Sequence, residues 1–254
     1  MDFSINSSNS DLVTTGVMGL DVQMGGGVPP GTTLLLIAES GAGAEIFNKQ
    51  FAYGGLESGE YVFYFTSDHS IPEIKSDMKQ FGWDIEEYEK NDKFEFIDAY
   101  SPRFMNLLPM DLRTKISAKD FLKQGFDPLN QLKTTICHPR KSKYRGVIDS
   151  ISYFLRAYDM NSVMEVIELM SSIGKLTGSI HLVSIGSGLH DDLTLNSMKY
   201  LADGVIEFYV KERGSQIERG LVIRKMRGLI VPNKSISFEI TKNGIELEST
   251  TRVL

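Results

Sequence analysis

Short runs of consecutive apolar residues, each closed by glycine or a polar turn, recur along this chain and alternate with segments of helical periodicity. The first run, Thr32-Thr33-Leu34-Leu35-Leu36-Ile37-Ala38, is apolar without alternation, as in a strand of a parallel sheet covered on both faces. A glycine loop, Gly41-Ala42-Gly43, follows and leads into a predicted helix from about Ala44 to Leu56. A second strand is predicted over Tyr61 to Thr66, ending at Ser67-Asp68-His69. Pro72 then sits near the start of a helix whose Ile74, Met78 and Phe81 share one face. Phe94 to Asp98 predicts a third strand and Gly146-Val147-Ile148-Asp149 a fourth that ends in an acid. The next helix runs from about Asn161, as N-cap, to Thr177, with Gly178 as its stop and Val163, Ile167, Met170, Ile173 and Leu176 as its stripe. The strand Ser179 to Ser184 comes next, then a polar loop. The strands Gly204 to Val210 and Gly220 to Lys225 then form a hairpin around Gly214-Ser215. A last strand near Ser235 to Thr241 turns at Asn243-Gly244 into Ile245-Glu246-Leu247.

Strands alternating with helices predict an α/β fold of three layers, a mostly parallel central sheet flanked by helices. The consecutive strands at the end predict a C-terminal antiparallel hairpin extension. Residues 13–248 read as a single domain, with flexible tails at 1–12 and 249–254 and an irregular or helical insertion over 100–145. That insertion holds the basic run from His138 to Arg145, read as a mobile, solvated surface loop.

Composition narrows the function classes. The chain has 254 residues, the size of one large α/β domain. With a single cysteine, Cys137, no internal disulfide can form. The histidines His69, His138, His181 and His190 are scattered, without metal-ligand spacing. The formal net charge of −6 argues against a surface given over to nucleic acid. The apolar runs are strand-length, too short to span a membrane, and Met1 to Asp11 lacks the apolar core of a signal peptide. The expected location is the cytoplasm.

A strand, a glycine loop and a helix in succession is the setting of a phosphate-binding loop. There, backbone N–H groups close around phosphates, a lysine meets the β/γ charge, and a hydroxyl holds magnesium. The loop here reads Ala38-Glu39-Ser40-Gly41-Ala42-Gly43-Ala44-Glu45. With Ala38 at the first glycine of that pattern, Gly43 is the second, Ala44 falls at the lysine and Glu45 at the Ser/Thr. Ser40, Gly41, Ala42, Gly43, Ala44 and Glu45, with Asp149, are the candidate nucleotide-binding residues. The two replacements leave the pocket more negative by two charges. Each charge about 4 Å from a phosphate is worth up to roughly 4 kcal/mol at an effective dielectric near 20. A micromolar nucleotide complex is worth only about 8 kcal/mol in all. Bound ATP and magnesium are therefore expected only if other cations compensate. Gly41 and Gly43 could equally do no more than shape a turn.

The chain resembles the KaiC-like branch of the RecA superfamily. The resemblance rests on Gly16-Val17-Met18-Gly19-Leu20-Asp21 through Gly25-Gly26-Gly27-Val28-Pro29-Pro30-Gly31, Phe81-Gly82-Trp83-Asp84 and Ile97-Asp98-Ala99-Tyr100. It continues in Ala202-Asp203-Gly204-Val205-Ile206 and Arg224-Lys225-Met226-Arg227-Gly228, and so runs from about Thr14 to Leu247. It implies a RecA-type core that often forms rings with nucleotide between neighbours, and an archaeal or bacterial source. By the same resemblance Asp149 is the acid that orients magnesium. Asp68 and His69 stand where the family carries two catalytic glutamates, His69 being the departure. Lys225 and Arg227 are the cations that reach a neighbour's γ-phosphate. Read without the resemblance, Asp149 is a cap, Asp68 and His69 are loop residues, and Lys225 and Arg227 are solvated strand charges.

Three functions follow as expectations. The first is a pseudo-ATPase, regulatory or scaffolding, in a homo-oligomer or a mixed ring with a KaiC-like paralogue. The second is an ATP-binding enzyme in which Glu45 ligates the metal. The third, less favoured, is a recombinase-related DNA-binding protein using the basic loop.

Overall fold

The computed structural model describes residues 12–104, 109, 126–139, 141–214 and 216–247. Both expected tails, apart from residue 12, and residues 105–108, 110–125 and 140 of the insertion lie outside the described residues. Among the described residues nine strands form one sheet in the order β3-β2-β4-β5-β1-β6-β7-β8-β9. These are β1 Thr33–Ala38, β2 Val62–Thr66, β3 Phe94–Asp98, β4 Arg145–Asp149, β5 Ile180–Gly186, β6 Gly204–Arg213, β7 Gln216–Met226, β8 Ile236–Thr241 and β9 Gly244–Leu247. From β3 to β6 all pairs are parallel, and β6 to β9 pair antiparallel. The α/β class and the antiparallel extension are as the sequence predicts.

The helices are α1 Met18–Gln23, α2 Ala44–Glu57, α3 Ile71–Gln80, α4 Glu86–Lys90, α5 Pro128–Cys137, α6 Ser152–Ala157, α7 Met160–Thr177 and α8 Asp192–Leu201. They cover both faces, so β1, β2 and β4 are buried along their whole length. Alternate residues of β1 feed two separate cores. Leu34 and Leu36 pack with Phe47 and Phe51 of α2 on one face. Leu35 and Ile37 pack with Val163 and Ile167 of α7 on the other. Among the described residues no helix is long and apolar enough to cross a membrane.

Several expectations are corrected. The segment read as a polar loop before Gly204 contains α8, whose N-cap Asp191 accepts a hydrogen bond from Thr194 N. Helix α7 is capped by Asp159 rather than Asn161, because the Asp159 carboxylate accepts from Ser162 N. Leu176, placed in its apolar stripe, is 85% exposed. The basic run does not remain solvated to its end. Tyr144 is buried, and Arg145 is fully buried at the first position of β4. The Arg145 guanidinium donates to Glu60 Oε2 (2.8 Å) and Oε1 (3.0 Å), Phe51 O and Thr14 O, and its charge lies over the Phe51 ring.

Candidate functional site

Parallel strands that leave a sheet through one edge bring their terminal loops together, and that edge is where open α/β sheets bind ligands. In this chain β1 ends beside β5, with Ala38 paired to Gly186, and β2 ends beside β4, with Thr66 paired to Asp149. The 38–45 loop, Asp68-His69 and Asp149 therefore share the C-terminal edge of the sheet.

The loop is built by glycine. Gly41 has φ +76 and Gly43 φ +94, a conformation that side chains strain to adopt. Gly43 is the N-cap of α2 and supplies no side-chain hydrogen bond to the helix. Its backbone lies against β8, where an added Cβ would stand 3.1 Å from Ile240 Cδ1. Glu39 accepts from Val210 N (2.8 Å) and Arg219 Nε donates to Gly41 O (2.9 Å), so the β6–β7 hairpin holds the loop from its open side. Ser40 and Glu45 are exposed, Ala42 is buried and Ala44 is half-buried. Glu45 lies in the first turn of α2, where the helix dipole favours an anion.

Beneath the loop lies a buried polar network. Tyr64 donates to Asp149 Oδ2 (2.6 Å), Ser184 to Asp149 Oδ1 (3.2 Å), and Asn48 Nδ2 to Ser184 Oγ (3.1 Å). Burial raises the Asp149 carboxyl above its ordinary range, and the neighbouring Asp68 adds to this. The Tyr64 hydrogen bond, His69 and Lys49 act in the opposite sense. Burial likewise pushes the Tyr64 phenol well up, with Asp149 the next cause. Asp68 accepts from Ser150 Oγ (2.5 Å) and Ser67 Oγ (3.2 Å). His69 is exposed, and its main chain is fixed by Thr66 Oγ1. The Asp149-Ser150 peptide is cis.

A buried cation on α2 acts on this network without a signal in the sequence. Lys49, on the second turn of α2, has a side chain 5% exposed and pairs with Asp77 of α3 at 2.6 Å. Asn48, Lys49, Tyr64, Asp77 and Ser184 were all missed as site residues. None carries a sequence motif, and the partners lie far apart in the chain. Among the described residues no group of three or more His, Cys, Asp and Glu is arranged to hold a metal ion.

Lys225 and Arg227 lie elsewhere. Lys225 Nζ donates to the carbonyls of Lys199 (2.9 Å) and Tyr200 (3.2 Å) at the C-terminus of α8. Arg227 pairs with Asp203 at 2.8 Å, and Asp203 accepts from Thr33 N, the first residue of β1. Ala38, at the loop, ends the same strand, about 17 Å away at the rise of a parallel strand. One chain therefore does not bring these cations to its own loop. Burial lowers the Lys225 ammonium, and Arg227 beside it adds to the effect.

Comparison with known proteins is consistent across sequence and structure. A family model described as the KaiC ATPase matches residues 13–252. A UPF0273 protein of Aeropyrum pernix is 31% identical over 248 residues, covering 92% of each chain. A UPF0273 protein of Pyrococcus furiosus is 26% identical over 243 residues, again covering 92% of each. The crystal structure of a KaiC-like protein from Pyrococcus horikoshii OT3 superposes with a TM-score of 0.68 at 28% identity. It spans 93% of this chain and 98% of that one.

Proposed function

This chain belongs to the KaiC ATPase family, and we propose that it is a member without nucleotide turnover, acting as a regulatory or scaffolding subunit. One observation carries the reading. At the head of α2, Ala44 and Glu45 occupy the positions where a phosphate loop needs a lysine and a hydroxyl. The donor set suits a magnesium triphosphate poorly. The loop offers the carboxylates of Glu39 and Glu45, and the buried cation nearby, Lys49, is committed to Asp77. His69 in place of a carboxylate removes a base for water.

The reading extends to assembly. Glu45 is exposed and carries negative charge where a γ-phosphate would bring it. Lys225 and Arg227 of a neighbouring copy then pair with Glu45 and hold a ring without nucleotide. Alternatively they serve the loop of an active paralogue in a mixed ring. Reversal by Glu45→Lys weakens a homo-oligomer, and an unchanged mass on a sizing column removes that version.

Calorimetric titration with ATP, with and without magnesium, tests the main reading. The expected result is no magnesium-dependent binding by the folded protein. Micromolar magnesium-dependent binding would overturn it in favour of the second reading, an ATP-binding enzyme with Glu45 on the metal. The position of Asp149 at the end of β4, on the same sheet edge as the loop, is what supports that alternative. Its signature is ATP hydrolysis that vanishes in Asp149→Asn.

A further inference from the structure

We propose that a second cleft, at the opposite, N-terminal edge of the sheet, binds a small oligophosphate anion through Lys93, Lys141 and Lys143. The cleft has a volume of about 350 Å³ and lies between the end of α2 and the segment before β4. Sheet order brings the lysines together. Lys93 immediately precedes β3 and Lys143 stands two residues before β4, while β2 lies between those strands. Adjacent strands are about 4.8 Å apart, so the two lysines leave the sheet about 10 Å apart on either side of the β2 start. The Lys143 stem lies beside Gly178, and rotation about its flexible chain brings its ammonium toward a ligand shared with Lys93.

Among the described residues that line this cleft, the lysine charge is uncompensated. Its carboxylate, Glu60, has both oxygens bound by the fully buried Arg145 and is neutralised from inside the protein. Lys93, Lys141 and Lys143 are exposed, and none has a carboxylate partner among the described residues. The last carbonyls of α2, which would repel an anion, are satisfied: Gly54 O by Ser58, Gly55 O by Glu60 N and Leu56 O by Gly59 N. The other basic cleft at this edge differs, because Lys225 is tied to carbonyls and Arg227 and Lys175 to Asp203.

The lining also indicates what is read. Tyr61 and Tyr144 are 5% and 2% exposed, so neither offers a face on which a base could stack. Recognition is by point charge, for which lysine suits phosphate. The ligand class is a di- or triphosphate chain, free or as the end of a larger molecule.

Titration calorimetry of the full chain with pyrophosphate and tripolyphosphate at low and high salt, with sulfate as control, is the test. Saturable one-to-one binding is expected, weakened by salt. Lys93→Ala or Lys143→Ala alone should weaken it by about tenfold, and the triple variant Lys93→Ala/Lys141→Ala/Lys143→Ala should abolish it. Because these side chains are exposed, the variants keep their melting temperature. Lys234→Ala/Lys242→Ala, at exposed lysines outside the cleft, leaves the binding unchanged. ATP binding equal to that of tripolyphosphate, and lost in the triple variant, shows that the phosphate chain alone is recognised, free or attached, whereas ATP binding weaker than that of tripolyphosphate assigns the free chain. Absence of binding at low salt, or undiminished binding by the folded triple variant, overturns the proposal.

Discussion

The double substitution Ala44→Lys/Glu45→Ser puts the electrostatic argument at the head of α2 to a direct test. It restores one positive charge and removes one negative charge where a triphosphate would lie, while Gly41 and Gly43 keep the loop geometry. At about 4 Å from a phosphate, each unit of charge is worth about 1 kcal/mol in water and about 4 kcal/mol at an effective dielectric near 20. Glu45 is exposed, so its share lies toward the lower figure, and added salt reduces it further. Ala44 is half-buried at the first helical position, so an ammonium there acts in a drier setting. Together the changes are worth at least about 2 kcal/mol, roughly a thirtyfold gain in affinity. Magnesium–ATP calorimetry on the wild type and the double variant measures it, with Glu45→Ser alone expected to give the smaller share. A folded double variant that binds magnesium–ATP no better than the wild type refutes the reasoning. The obstacle would then be steric, in the cover of Ile240 over Gly43 or the Arg219 clamp on Gly41.

Other perturbations probe the scaffold. Arg145→Met leaves Glu60 without its buried partner and should lower stability by about 3–5 kcal/mol, read by urea denaturation; adding Glu60→Gln should recover part of the loss. Asp149→Asn should stabilise the fold increasingly as pH rises. The folded carboxyl titrates above its unfolded value, so its contribution is fully present below the unfolded pKa and lost as pH rises through the folded one. Denaturation at pH 5 and pH 8 gives the comparison, and a gap that narrows with pH contradicts it. Burial lowers the His181 imidazole to about 3, while the unfolded residue titrates near the ordinary histidine value of 6.5. Its contribution is present above the unfolded pKa and lost as pH falls between those values, by up to about 1.4 kcal/mol per pH unit. His181→Gln should flatten that part of the stability profile.

The strands and the loop were legible because their signals are local. Leu34 to Ile37 must be covered on both faces, and Gly41 and Gly43 mark a turn wherever they occur. Helix α8 gave no such signal. Its core-facing stripe is Leu195, Met198 and Leu201, but Leu193 and Tyr200 face outward at 72% and 83% exposure and blur the periodicity. Arg145 misled for a different reason. In sequence it ends a basic run, yet its burial is decided by Glu60, Phe51 O and Thr14 O, which come from three other segments. Lys49 and Asp77 are likewise 28 residues apart, and only the packing of α3 beside α2 makes them a pair.

The geometry around Asp149 separates two roles that a sequence motif merges. A carboxylate that orients magnesium must remain ionised and open on one side. Here one oxygen of Asp149 accepts from Tyr64 and the other from Ser184, and its backbone carbonyl accepts from Ser67 N. Those contacts tie the ends of β2, β4 and β5 together, so Asp149 is a bracket for the sheet edge whatever else it does. Burial raises its pKa, and this opposes the ionised form that a metal requires. Asparagine can accept from Tyr64 and donate to Ser184 while carrying no charge, so it can serve as the bracket but not as the metal ligand. Higher stability of Asp149→Asn with unchanged assembly is therefore the outcome for a scaffold. Loss of magnesium-dependent ATP binding on the same substitution is the outcome for an ATPase. One variant read by two measurements distinguishes the two functions this loop could serve.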